Sequence, residues 1–576
     1  MRSSEGAACG GSSRSVGRLN ARDRGPEGGR IIELAARSRV APLAIACLAA
    51  LTPALGACTD EKPQAKAITI ATSAQPDALD PALSYTVGGW QAMWLVYTPL
   101  LTYEHAEGTR GTRLIPGLAR ALPRISDRGR LYQLRLREGL RYSNGRAVRA
   151  SDFEHTIKRV FQLNSPGARF FVPIVGAERY LKAKRQGADI EGISADDASG
   201  SIAIRLVEPQ ATFSNALATN FAGLVPATSP FKNLTRSPPP GVGPYRLTGS
   251  VPNREFVLVQ TPGFALPGVP RARIERIVTR IVPDTARQAR EVIRNRLDFM
   301  QDPAPADLLR EARSRYRERF KEFRMLTSAS FFLNVAKAPF RKLRVRRAVN
   351  LGVDRRAVAR IFGGLIEPSC NYLPPAIVGF RRLDPCPHGD PAGRPDLRAA
   401  RRLVEQAGER GTRVTVWGTT QEPGNKLAVY YADSLSAIGL RPELKLVDFA
   451  VYPQVIGKPS TGADTGFNFF APDFPHPASF LSPLSGDAIT REGNVNFGQV
   501  DDPELTRAIE RLEREPDLRK AASGWAQVER DLIERAYLVP LGQLKGTTFM
   551  SERMDFRNCN RVHPLYFHDY TSFCLR

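Results

Sequence analysis

The feature that most limits what this chain can fold into lies near its start. Arg37 and Arg39 precede an apolar run from Val40 to Ala57, which closes as Leu55-Gly56-Ala57-Cys58. A basic flank, an apolar stretch and small residues before a break make an export signal. The run carries Pro42 and Pro53 and is rich in small residues, which disfavours a permanent membrane-spanning helix. Folding is therefore expected of the residues after 57, in a compartment where disulfides persist.

The Leu-Gly-Ala-Cys ending resembles the lipobox of bacterial lipoproteins. That resemblance implies a signal segment over 1–57, acylation of the Cys58 thiol, and Cys58 as the new N-terminus. Residues 58–66 then read as a polar tether. The expected location is outside the cell, lipid-anchored to the outer face of the cytoplasmic membrane. Of seven cysteines, Cys9 and Cys47 precede the anchor; Cys370, Cys386, Cys559 and Cys574 follow it. An even count in an exported chain suggests two disulfides, with three possible pairings. The pairing Cys370–Cys386 with Cys559–Cys574 is favoured, because each bond closes a short loop rich in Pro or aromatic residues. No Cys-x-x-Cys spacing occurs, so no metal site is expected.

Charge invites a different reading. The chain has 576 residues and a net charge of +24, from 82 Lys+Arg against 58 Asp+Glu. Such an excess is the footprint of many nucleic-acid binders. Here it is dispersed and dominated by Arg, as a GC-rich coding bias produces. The densest cluster, Arg341, Lys342, Arg344, Arg346 and Arg347, alternates with Leu343 and Val345, as on one amphipathic helix. A phosphate-binding surface is clustered, and single-strand binders add aromatic platforms. A solvated cationic surface is expected, with no nucleic-acid partner. Without residues 1–57 the net charge is +20.

The remaining length suits more than one domain. Ala67–Thr72 alternates as a strand does, and so does 131–138; with Asn144-Gly145 behind it, 131–148 predicts a hairpin. Ser151-Asp-Phe-Glu154 predicts a capping box, ahead of Phe153, Ile157, Val160 and Phe161 at helical spacing. Residues 201–207 and 255–260 read as strands flanking the rigid Pro238–Tyr245 turn. Helices are predicted over 284–296, 303–314, 343–351 and 354–362, the last stopped by Gly363-Gly364. After a Pro/Gly/Cys-rich loop over 366–395 come helix 395–408, strand 412–418, helix 424–438 and strand 443–448. This alternation predicts α/β architecture. Two helices, 503–514 and 516–536, precede a short strand at 538–541. No His-Glu-x-x-His, Gly-x-Ser-x-Gly or P-loop ending is present, so neither catalysis nor a cofactor is expected.

Several segments, in order, resemble one family. They include Leu79-Asp80-Pro81-Ala82, Leu114-Ile-Pro-Gly-Leu-Ala119, and Leu136-Arg-Glu-Gly139 with Tyr142, Gly145 and Ala150-Ser-Asp152. They continue with Gly241-Val-Gly-Pro-Tyr245, Asn334, Pro339-Phe340, Val345 to Val349, Asp354-Arg355, and Asp473-Phe-Pro-His-Pro477. Together they resemble the bacterial extracellular solute-binding proteins of family 5, which serve peptide and nickel ABC importers. The resemblance spans about 67–545 and implies a two-lobed α/β fold of the periplasmic-binding-protein type II class, hinged, with an extra domain. It places lobe I at 67–108, 194–282 and 538–576, the small domain at 109–193, and lobe II at 283–537. It implies a ligand held between lobes, a peptide in the first instance, and delivery to ABC permease subunits. An opine, oligosaccharide or metal chelate in the same fold, or a sensory or adhesion lipoprotein, are the alternatives.

The same resemblance assigns site residues. Asp473 matches an Asp that receives a peptide's α-ammonium, and a carboxylate is the physical complement of that cation. Phe470 stands where relatives place an indole wall. His476 replaces the usual acid and would make the site pH-sensitive. Trp90, Trp94 and Tyr97 form a helical stripe read as core packing rather than cleft lining. Main-chain groups of strands are expected to hold a peptide backbone.

Overall fold

The computed structural model describes residues 66–183, 187–491 and 493–576. Cys58 and the export segment lie outside the described residues.

Two long strands, Phe320–Leu333 and Leu538–Met550, pair antiparallel at the centre of an eleven-stranded sheet. On one side follow Thr465–Phe470, Arg413–Thr419 and Arg441–Val447. On the other follow Phe299–Met300, Ala67–Thr72, Arg276–Ile281, Glu255–Gln260 and Tyr245–Val251. The long strands thus carry the chain between two lobes. Their register breaks between Arg324 and Ser328, where Met325, Leu326 and Thr327 bulge from the ladder. Close by, Gly542 has φ +144°, and a Cβ there would meet the Glu367 carbonyl oxygen at 2.0 Å, so only glycine fits.

In the second lobe, strand Arg413–Thr419 and the parallel Arg441–Val447 are joined by helix Gly424–Ala437. Parallel neighbours need such a crossover. The helix buries Leu427, Tyr431 and Leu435, and Tyr431 stacks on Phe331 of the long strand at 3.6 Å.

A separate four-stranded antiparallel sheet orders Arg124–Ser126, Leu131–Arg135, Ser201–Arg205 and Ile193–Asp196. Helix Ser151–Gln162 buries Phe153, Ile157, Val160 and Phe161 in the core beside it. This sheet runs to Arg205, past the expected edge of the small domain at 193. Likewise Phe299–Met300 pairs with Ile70 and Ala71, so the chain after Val282 rejoins the first-lobe sheet and crosses only along Phe320–Leu333.

Local expectations differ in two places. Leu131–Arg135 pairs with Ser201–Arg205 and Arg124–Ser126 rather than within 131–148; only an isolated bridge, Arg141 to Ala147, surrounds the Asn144-Gly145 turn. The capping box does not form either. Asp197 accepts from the Ser151 amide and hydroxyl, and Glu154 accepts from the Ile190 amide, so long-range partners displace the local ones.

Asp80 and Arg159 form a fully buried, two-pronged ion pair, with Nη1–Oδ1 3.1 Å and Nη2–Oδ2 2.8 Å. Arg159 also donates to the Pro230 and Lys232 carbonyls, and Asp80 accepts from the Ala82 and Leu234 amides. The pair therefore ties helix Ser151–Gln162 to the segments around Asp80 and around 230–234. Disulfides join Cys370 to Cys386 and Cys559 to Cys574. Loops of this length are stabilised by roughly 3 kcal/mol each through loss of chain entropy in the unfolded state.

Replacing Asp80 by Ala strands a buried guanidinium without its charge partner. The expected loss is about 3–5 kcal/mol, read as a lower urea midpoint; an unchanged midpoint would refute the tie.

Candidate ligand-binding cleft

The break in the central ladder lies at the floor of a cleft. Leu326 and Thr327 line a cavity of about 530 Å³. Helix Val87–Val96 contributes Val87 and Trp90 to its walls, and helix Tyr452–Gly457 contributes Tyr452 and Ile456. A second cavity of about 420 Å³ shares Val87, Thr327, Phe469 and Phe567 with the first, and continues toward Ser73 and Asp302 at the end of strand Ala67–Thr72. Asp302 is held there by the Ser73 amide and hydroxyl and by Gln288 Nε2.

Strand Thr465–Phe470 supplies both a wall and an edge. One side of it pairs with Phe320–Leu333 from Thr465 to Phe470. The other side pairs with Arg413–Thr419 only at Thr465 and Gly466. Beyond Gly466 the strand lines the cavity through Phe467, Asn468, Phe469 and Phe470, and the Phe467 carbonyl accepts from the Tyr452 hydroxyl at 2.9 Å. Phe470 is half-buried, packed on Phe480 with ring centroids 5.6 Å apart.

Asp473 follows this strand and lines the cavity. Its Oδ2 accepts from Arg169 Nη2 at 2.8 Å, and its Oδ1 accepts from the Tyr85 hydroxyl at 2.8 Å. Arg169 also donates to the Tyr85 oxygen at 2.6 Å, and its guanidinium lies over the Tyr85 and Phe170 rings at 5.2 and 4.7 Å. Next to Asp473, Phe474 is buried in the same core as Phe153 and Phe161 and meets Phe170 edge-on at 5.8 Å. Asp473-Phe474, which follows strand Thr465–Phe470, is thus docked on Arg169-Phe170, which follows helix Ser151–Gln162. Burial opposes the Arg169 charge, but Asp473 and Tyr85 outweigh it and raise its pKa. Burial and then the Asp473 carboxylate push the Tyr85 hydroxyl up to about 12, so it stays a donor at neutral pH.

His476 is placed differently from Asp473 and Phe470. It is 1% exposed and lines neither cavity. Its Nδ1 accepts from the Ala478 amide at 3.1 Å, capping helix Pro477–Leu481, and its ring meets Trp525 edge-on. Burial lowers its pKa to about 3, so it stays neutral in the physiological range. Of the aromatic stripe, Trp90 is 7% exposed and also lines the cavity. Trp94 stacks between His105 and Tyr566, and Tyr97 is buried with its hydroxyl on the Pro239 carbonyl. Arg169, Tyr85 and Phe449 carry no motif that marks them for the cleft. Arg169 lies 304 residues from Asp473 in the chain, and only folding brings them together.

The sequence model described as bacterial extracellular solute-binding proteins, family 5 Middle, matches residues 113–491. Di/tripeptide-binding protein 1 of Pseudomonas aeruginosa (strain UCBPP-PA14) is 24% identical over 511 residues, covering 83% of this chain and 89% of that protein. Heme-binding protein A of Haemophilus influenzae (strain ATCC 51907 / DSM 11121 / KW20 / Rd) is 24% identical over 548 residues, covering 88% and 95%. The solved structure of clavulanic acid biosynthesis oligopeptide binding protein 2 superposes with a TM-score of 0.81 at 27% identity, covering 89% of this chain and 96% of that one.

The low pKa of His476 has a consequence for stability. Its unfolded form takes up a proton near pH 6.5, its folded form only near 3. The unfolded state therefore binds more protons between these values. The stability held above pH 6.5 is lost as pH falls toward 3. His476→Asn keeps an N-cap acceptor and removes this term. The variant is expected to lose less stability than the parent between pH 6.5 and 4, measured by denaturant midpoints; identical losses would count against the assignment.

Proposed function

The chain belongs to the bacterial extracellular solute-binding proteins of family 5, a family of exported substrate-binding proteins of ABC importers rather than enzymes, and from that premise we propose that it captures short peptides in the cleft and delivers them to a membrane permease. The observation that carries this reading is the juxtaposition of Asp473 with the edge of strand Thr465–Phe470 past Phe467, where the ladder to Arg413–Thr419 has ended. A peptide laid along that edge gains main-chain hydrogen bonds as an added strand. Its ammonium meets the Asp473 carboxylate, whose oxygens keep lone pairs beyond those used by Arg169 and Tyr85. The relative named as a di/tripeptide-binding protein and the neighbour named as an oligopeptide-binding protein support the same ligand class.

In this reading the ligand touches both lobes at once and therefore favours the closed form over the open one. The permease distinguishes closed from open. Cys58, acylated, anchors the chain to the outer face of the cytoplasmic membrane, and the residues to Lys66 serve as the tether. Phe470 forms part of the side-chain wall.

Isothermal titration of the purified chain with di- and tripeptides tests the proposal, and no binding by any of them would sink it. A charge-assisted hydrogen bond contributes about 1.5–3 kcal/mol. Asp473→Ala should therefore weaken free-amino peptides by roughly tenfold or more and spare N-acetylated ones; equal losses would remove Asp473 from its role.

A further inference from the structure

We propose that the cleft selects peptides carrying a bulky apolar side chain, aromatic or branched aliphatic, next to the amino terminus. This rests on the peptide reading and narrows it to a substrate class.

The first observation is the wall. Phe449, Ile456, Phe467, Phe469, Val495 and Phe497 line the larger cavity together. Phe449 keeps 60% of its surface open and Val495 46%, and Val87, facing the same cavity, keeps 48%. Large apolar side chains left open on a concave wall mark a ligand surface rather than core packing.

The second observation is charge. Among the described residues lining this cavity, Asp473 is the only one with a formally charged side chain. Arg169 already pairs with its Oδ2, at 2.8 Å. No further carboxylate lines that cavity to receive a Lys or Arg side chain, and no lining cation awaits an Asp or Glu. An ionised side chain turned to this wall would lose its hydration there without a partner. The net charge of +24 is thus absent from the cavity wall, and the chain's basicity does not translate into affinity for acidic ligands.

Placement follows from the strand. With the ammonium at Asp473 and the backbone along the edge beyond Phe467, side chains alternate in direction. One of the first two is turned toward the wall formed by Phe467, Phe469 and Phe449.

Titration calorimetry with a matched tripeptide set is the test: Ala-Ala-Ala, then the same peptide with Phe, Leu, Lys or Glu at the first or second position. Burial of a large apolar side chain predicts about a tenfold or greater gain for Phe and Leu over Ala at one of the two positions. It also predicts a more negative heat-capacity change for them. Lys and Glu should bind no better than Ala. Comparable affinities across the set, or tighter binding of a charged member, overturn the selectivity while leaving peptide capture standing. No binding by any member overturns both. Phe449→Ala, exposed enough to be replaced without disturbing a core, should reduce the Phe-over-Ala ratio severalfold; an unchanged ratio at both positions would remove the wall from the subsite.

Discussion

Everything in this protein hangs on the antiparallel ladder between Phe320–Leu333 and Leu538–Met550. Among the described residues it joins the two halves of the eleven-stranded sheet: one end reaches Phe299–Met300, the other receives Thr465–Phe470. Backbone hydrogen bonds make this connection stiff, and a stiff connection alone would fix the lobes. The irregular stretch Met325–Thr327, facing the cavities, is where the ladder is interrupted. The cleft therefore lies where the spine is least regular, and a ligand on the edge of Thr465–Phe470 sits against the part of the molecule that joins the lobes.

Charge is distributed with a similar division of labour. The surface carries the basic excess, while buried ions are either paired, as Asp80 with Arg159 and Asp569 with Arg561, or held by main-chain groups, as Arg355 by the Pro540 carbonyl and Glu529 by the Tyr372 and Leu373 amides. In the cavity beside strand Thr465–Phe470 one carboxylate is present, and it is shared between the protein's own guanidinium and phenol. The docking of Asp473-Phe474 on Arg169-Phe170 combines ionic and aromatic contact.

Much of the fold was legible in the sequence because it rests on local periodicity. Helices such as Gly424–Ala437 and Pro503–Glu513, and the parallel strands around the first of them, follow apolar spacing and end at Gly or near Asp caps. The long strand Phe320–Leu333 escaped that reading, because it is buried on both faces over much of its length and shows no clean alternation. The strand after Leu538 was foreseen only over its first four residues; its continuation to Met550 is set by a partner more than 200 residues away. The capping box at Ser151 failed for the same kind of reason, since Asp197 outcompetes Glu154 for the local amide.

At the cleft the division is sharper. The sequence by itself determined the family, the α/β class and the candidacy of Asp473 and Phe470, because ordered motifs and residue chemistry survive in one dimension. It could not place His476, whose ring is turned into the core by the cap it makes on Pro477–Leu481. Nor could it reveal Arg169 or Tyr85 beside Asp473, or the aromatic wall that makes Asp473 the one charged side chain lining that cavity among the described residues. Those depend on contacts between residues hundreds of positions apart, and only packing of the two lobes on a common spine decides which side chains share a space.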